Sequence, residues 1–399
     1  MKILNKTVKI IKFKALMLCT ALIFCGINIF GQSITWQKVL INPGISYFTS
    51  VVQTPDEGYI AAGRHQYDEN RMYFVRFNKF GDTLWSKRID REEAMCIIKT
   101  NDNNYVISGR LGSFVKIDIN GNILNIGAFF DDRARLLKVI QDSDSNYFMC
   151  GSIFIGGFGL FYPYLLKYNN SGELLWDSIY TKGIYTGDFK DFVLSNDNSL
   201  VITGSHKFQN GQPYYLFLSK IDFNGIRIWT STLSAYNYLS PNSIIKIESG
   251  SYFISCRWSV LKFNSSGNFI WRQDYDTLLQ NGIRSMTNTF DGKIVYTAYH
   301  DSGNFTTVKI RKIDTNGTEL LNKNLGFENH NHTPWDIKPT LDSGYVVVGR
   351  TDFIVEDAYI LKTNKNGELP NSVNIISTEI PKKFNLYQNY PNPFNPVTK

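Results

Sequence analysis

Four sets of side chains in this chain have the types and spacing that could do chemistry. Asp314, Asn316 and Glu319 crowd Gly317 in the manner of a calcium loop. His330 and His332 stand two residues apart in the stretch ENHNHTPWD, beside Trp335, and histidines so spaced can bind zinc. Arg64, Arg110, Arg257 and Arg350 each follow the small residue that ends an apolar run, and guanidinium forks suit carboxylate, sulfate or phosphate. The stretch SIFIGGFGLFYPY gathers Phe154, Phe158, Phe161, Tyr162 and Tyr164.

The calcium reading fails on spacing. A calcium loop needs its glycine at the sixth position and a bidentate Glu six residues further on, and the Asp314–Gly317 segment is too short for that. The same pattern also recurs seven times, with Asn or Asp three residues before glycine: Asn78–Gly81, Asp118–Gly121, Asn169–Gly172, Asp222–Gly225, Asn264–Gly267, Asp314–Gly317 and Asn364–Gly367. Each copy follows an alternating apolar run such as YFVRFN or YLLKYN, and several precede a second run ending in Trp, as in GDTLW and GELLW. A strand, a turn with glycine at its left-handed position and a returning strand make a β-hairpin.

A second pattern lies upstream of each turn, of the form TPDEGYIAAG or TLDSGYVVVG. Its anchors Tyr59, Tyr105, Tyr147, Leu200, Tyr252, Ile294 and Tyr345 are 42 to 53 residues apart. A unit of that length holds four short strands, and such units in series predict an all-β, seven-bladed β-propeller of four-stranded antiparallel blades over residues 33–370. The seventh unit has no Trp strand after its turn, whereas SITWQKVL at residues 33–40 looks like a Trp strand with no unit before it. The N-terminal strand is therefore expected to complete blade seven and remove an open edge. A ring closed in this way is expected to be a monomer. Trp36, Trp85, Trp176, Trp229 and Trp271 fall on the outer strand, where their repeated position reads as packing between blades rather than a sugar platform.

The strand order gives two faces. Short turns share one, and the longer connections share the other, where binding residues usually sit. Arg64, Arg110, Arg257 and Arg350 occupy one equivalent position on that second face, with Ser152, Ser205 and Tyr299 in the other units. Closure would place Arg350, Arg64 and Arg110 in one arc. Two readings compete: an anion site, or arginines paired with nearby acids and stacked on aromatics. His330, His332 and Trp335 fall on the same face, and no third ligand is spaced to make the histidines a metal site. The blade-three aromatics, Phe158, Phe161 and Tyr162 among them, are expected in a loop, either exposed to a partner or folded over the ring. There is no G-x-S-x-G, phosphate loop or H-E-x-x-H and no cofactor motif. Binding is favoured over catalysis, although a carboxylate pair drawn from separate blades would not show in spacing. The ligand expected is an extracellular polysaccharide or surface protein; the alternatives are an extracellular glycan-cleaving enzyme or a non-catalytic structural scaffold.

The formal charge of +7 includes five lysines, Lys2 to Lys14, that have no acid among the first 31 residues. The remainder carries 37 basic against 35 acidic groups, a balance that argues against nucleic acid as a partner. Those lysines precede the apolar run Ala15–Ile29 and the small residue Gly31, so residues 1–31 read as a signal peptide. Cys96, Cys150 and Cys256 remain, on apolar runs, and are expected as buried free thiols.

The last residues, FNLYQNYPNPFNPVTK from Phe384, closely resemble the opening of the C-terminal sorting domain of the type IX secretion system of Bacteroidetes, with QNYPNPFNP at Gln388–Pro396 as the specific signal. The resemblance covers residues 384–399, read as the incomplete start of such a domain. It implies the type IX machinery as a partner, passage through the outer membrane, and release or attachment at the cell surface. A polar linker, residues 371–383, is expected before it. The units themselves are similar to secreted bacterial propeller repeats and, through Gly-x-x-x-Trp at Gly81, Gly172, Gly225 and Gly267, somewhat like quinoprotein repeats. The adjacent cysteine pair of those dehydrogenases is absent here.

Overall fold

The computed structural model describes residues 34–67, 70–127, 131–156, 160–180, 185–208, 214–234, 240–275, 282–301, 303–327, 329–352, 354–369 and 374–377. The expected signal peptide, the sorting-domain segment 384–399 and Phe158 lie outside them. The ring falls within the second of two compact units, Thr35–Lys399.

Seven antiparallel sheets succeed one another along the chain, and no helix occurs among the described residues. Strands are named here by blade and by position from the axis outward. The inner strands are Ile45–Gln53, Ala94–Lys99, Ala134–Gln141, Tyr185–Leu194, Pro241–Lys246, Ile283–Asn288 and His332–Pro339 in blades one to seven. Each touches the inner strand of the next blade, and that of blade seven touches that of blade one, so the ring is closed. Closure comes from Trp36–Ile41, which pairs antiparallel with Asp357–Thr363 in a register running from Trp36 opposite Lys362 to Leu40 opposite Ala358.

Blades pack face to face, so a second strand such as Tyr105–Gly109 is buried along its whole length and must be apolar on both sides. The repeat anchors Tyr59, Tyr105, Tyr147, Tyr252 and Tyr345 are buried between blades, each contributing about 1.5–3 kcal/mol. Cys96, Cys150 and Cys256 are free and buried.

The sevenfold turn is the expected hairpin. Asp314 Oδ1 accepts the backbone N–H groups of Asn316 and Thr318, both at 2.8 Å, so the carboxylate is spent on its own turn. Gly81, Gly121, Gly172, Gly225, Gly267, Gly317 and Gly367 all have positive φ. A second constraint acts on these glycines. The outer-strand Trp of one blade lies across the turn of the next: Trp36 donates Nε1–H to Lys79 O at 2.9 Å, and Trp85 and Trp176 donate to Ile119 O and Phe223 O at 3.2 Å. Blade two carries Asn125 in place of the Trp, and its amide donates to Ser171 O.

One expectation is revised. The segment read as a plain linker contains a strand, Asn374–Ser377, which pairs in parallel with Trp36–Ile41 and makes blade seven five-stranded. The polar composition around it hides a run of four residues whose backbone caps an otherwise open edge.

Candidate binding face at the mouth of the axial channel

Every inner strand carries a β-bulge at the same place. Register skips one residue between Phe48 and Ser50, Ala94 and Cys96, Leu136 and Lys138, Phe189 and Asp191, Pro241 and Ser243, Ile283 and Ser285, and Pro334 and Asp336. A bulge frees one side chain from the ladder and re-aims it. In blades six and seven the freed residues are Arg284 and Trp335.

These two meet near the face of long connections. The Arg284 guanidinium lies 5.1 Å from the Trp335 ring centroid and 5.4 Å from that of Tyr299. Trp335 in turn stacks on Tyr47 of blade one, 6.2 Å away at 18°. A cation held over aromatic faces is stabilised where water is partly excluded. Arg284 has no carboxylate partner among the described residues, its Nε is buried without an acceptor, and Trp335 Nε1 is likewise buried and unbonded. Burial, then the nearby charge of Arg350, push the Arg284 pKa below its ordinary value against the opposing effect of Tyr299. The group stays charged, and its charge is uncompensated.

Three of the four expected arginines, Arg64, Arg110 and Arg350, lie by this cluster. Arg64 and Arg350 stand opposite Tyr47 and Thr333 in register, at the equivalent positions the repeat implies. Each is engaged within the protein. Arg350 Nη1 is 2.6 Å from Glu356 Oε1, Arg110 Nη1 is 3.7 Å from Glu93 Oε2, and Arg64 donates to Gln66 Oε1. Tyr47 Oη donates to Glu93 Oε1 at 3.0 Å, and burial followed by the Glu93 charge raises its pKa. Arg257 sits apart, on blade five, over the ring of Trp258 at 4.8 Å.

Other sequence candidates are placed differently. His332 is fully buried; its Nε2 accepts the Phe327 N–H at 2.8 Å, its ring packs on Tyr359, and no ligand at the face can reach it. His330 instead faces Asp352, with Nδ1 to Oδ1 at 3.7 Å, so the two histidines do not converge. No group of metal-ligating side chains occurs among the described residues. Of the blade-three aromatics, Phe154, Phe161, Tyr162 and Tyr164 lie on strands Tyr147–Phe154 and Phe161–Tyr168 rather than in a loop: Tyr162 is buried opposite Ile153, and Phe161 remains exposed against Phe154. Sequence reasoning missed Arg284, Tyr47 and Tyr299 as a group, because IRSMTN reads as an ordinary inner strand. Aligning the seven inner strands at the bulge would have set Arg284 beside Trp335.

Immediately after the bulge, the seven blades present Ser50, Cys96, Lys138, Asp191, Ser243, Ser285 and Asp336. Asp336 ties three blades together: its carboxylate accepts Ser50 Oγ at 3.0 Å, Ser285 Oγ at 2.7 Å and Lys338 Nζ at 2.9 Å. Asp191 accepts Ile244 N–H of blade five at 3.0 Å. Burial opposes the Lys138 charge, but Asp191 and Asp336 outweigh it and raise its pKa. Lys138, Asp191 and Asp336 thus form a charged belt on the inner strands.

The chain matches no known protein-family profile and no curated protein. Its fold matches many solved structures. A streptogramin B lyase aligns at a TM-score of 0.57 and 12% identity, over 84% of this chain and 100% of that one. The WD40 propeller domain of Doa1 aligns at 0.55 and 10%, over 82% and 96%. The extracellular domain of a hybrid two-component system from B. thetaiotaomicron aligns at 0.53 and 13%, over 81% of this chain and 41% of that one. At such identities the likeness shows the propeller fold.

Proposed function

We propose that this is an exported or cell-surface propeller that binds an extracellular polysaccharide at the mouth of its channel. The observation that carries the reading is Arg284: an acid-free guanidinium among Trp335, Tyr299 and Tyr47, where aromatic faces can stack on sugar rings and the cation can take a carboxylate or sulfate. Arg350, Arg64 and Arg110 line the approach, and their internal pairs hold them in place for a polyanion. The lysine-led apolar run and the resemblance of residues 384–399 to a type IX sorting domain support export through that machinery, and the extracellular propeller among the structural neighbours is in keeping with it.

The test is a thermal-shift series on the full chain with neutral, uronic and sulfated polysaccharides, since a ligand that binds only the folded state raises its midpoint. A salt-sensitive rise with acidic polymers, absent in Arg284→Ala and Trp335→Ala, is the expected result. Failure of every polysaccharide to shift the protein sinks the reading in favour of a protein partner or a scaffold.

A further inference from the structure

A cavity of about 240 Å³ opens between blades three and four and shares no residue with the mouth. Tyr180 and Phe189 meet edge to face at 5.2 Å, Phe189 meets Phe217 at 5.7 Å, and His206 stacks on Phe217 at 5.5 Å, giving an aromatic wall. Ser219, Thr230 and Thr232 also line it, the Ser219 and Thr230 hydroxyls sharing a hydrogen bond of 2.7 Å. Arg227 stands at the rim, 5.5 Å from the Tyr180 ring, and no carboxylate of the described residues pairs with it.

The repeat explains why the space exists. Three residues before each turn anchor, the third strand carries Val75, Val115, Leu166, Ser219, Leu261, Arg311 and Leu361 in blades one to seven. At the junction of blades five and six the equivalent space is taken by Arg311, which lies over Tyr275 at 5.1 Å and pairs with Glu319 at 2.7 Å. Tyr275 and Tyr180 are themselves equivalent, each donating its hydroxyl to a turn-glycine carbonyl at 2.8 Å. Blade four departs twice. Ser219 is small where five blades have Val or Leu, and Arg227 replaces the acid of blade six.

We infer that this cavity is a second binding site, for a single sugar ring bearing a carboxylate. An aromatic wall takes the C–H face of a pyranose, hydroxyls take its edge, and an acid-free guanidinium takes the anion. The volume suits one ring rather than a chain, so the site reads a chain end or a free monosaccharide, independently of what the mouth binds.

Titration of the full chain with glucuronate and galacturonate, with glucose and benzoate as controls, followed by calorimetry, tests it. A uronate is expected to bind, glucose and benzoate to bind more weakly, and Arg227→Ala to weaken the uronate by roughly tenfold or more. Ser219→Leu installs the side chain that blades three, five and seven carry; it is expected to abolish uronate binding, leave the unfolding midpoint unchanged or raised, and leave polysaccharide binding at the mouth intact. Absence of uronate binding, tighter binding of benzoate, or unchanged binding in a folded Ser219→Leu protein each overturns the proposal. Loss of the mouth's polymer binding in Arg284→Ala does not bear on it.

Discussion

The turn glycines show two separate demands acting on one residue. Gly267 has φ of +80° and a Cβ added there would meet Trp229 at 2.5 Å, whereas at Gly317, with φ of +89°, the nearest indole atom is 3.4 Å away. Alanine in the left-handed region costs roughly 1–2 kcal/mol in either place, and overpacking against an indole adds about 1–3 kcal/mol at the first alone. Gly267→Ala is therefore expected to lower the denaturation midpoint clearly more than Gly317→Ala, and equal losses would mean that the Trp adapts freely. The seven glycines were legible in the sequence because their spacing repeats. His332 was not. His330, partly exposed, precedes the strand that begins at the buried His332, and a spacing of two residues does not show that boundary. Burial holds the His332 pKa down to about 4, below the ordinary 6.5. A folded value below the unfolded one means that the unfolded chain binds more protons between those limits, so stability is full above about 6.5 and falls as pH drops toward 4. The contribution is on the order of 3 kcal/mol. His332→Gln, which keeps an acceptor for Phe327 N–H, is expected to flatten that part of the stability–pH curve measured by chemical denaturation.

At the scale of elements, the inner strands carry both the site and a liability. Blade number, the hairpin turns and the closing strand followed from periodicity, because each repeats or completes a repeat. The bulges did not, since one extra residue in a strand leaves no compositional mark. With the bulges hidden, so were the side chains they re-aim, Arg284 and Trp335, and the belt of Lys138, Asp191 and Asp336. The belt yields a sharp expectation. Asp336 keeps Lys338, so Lys138→Met chiefly removes the charge facing Asp191 and leaves that buried carboxylate uncompensated, a loss of roughly 3 kcal/mol. Adding Asp191→Asn to that variant should recover much of the loss, and if the double variant is no more stable than the single, the coupling between the two residues is absent.

Across the whole molecule, the first strand of the ring lies between two strands from the far end of the chain. Trp36–Ile41 has Asp357–Thr363 on one side and Asn374–Ser377 on the other. The segment was placed correctly from its Trp, while its second neighbour escaped notice because four residues in a polar stretch give too short a pattern to show a period. The strand also closes a long-range contact, between residues more than 300 positions apart, and such contacts form late because loop closure must precede them. During synthesis Trp36–Ile41 emerges before any blade and has no sheet to join until the last blade has been made. Six blades can assemble in order behind it, each with its own strands complete, while the earliest residues wait. Until then the growing ring is an arc with two unsealed ends, and it closes only when Trp36–Ile41 meets Asp357–Thr363.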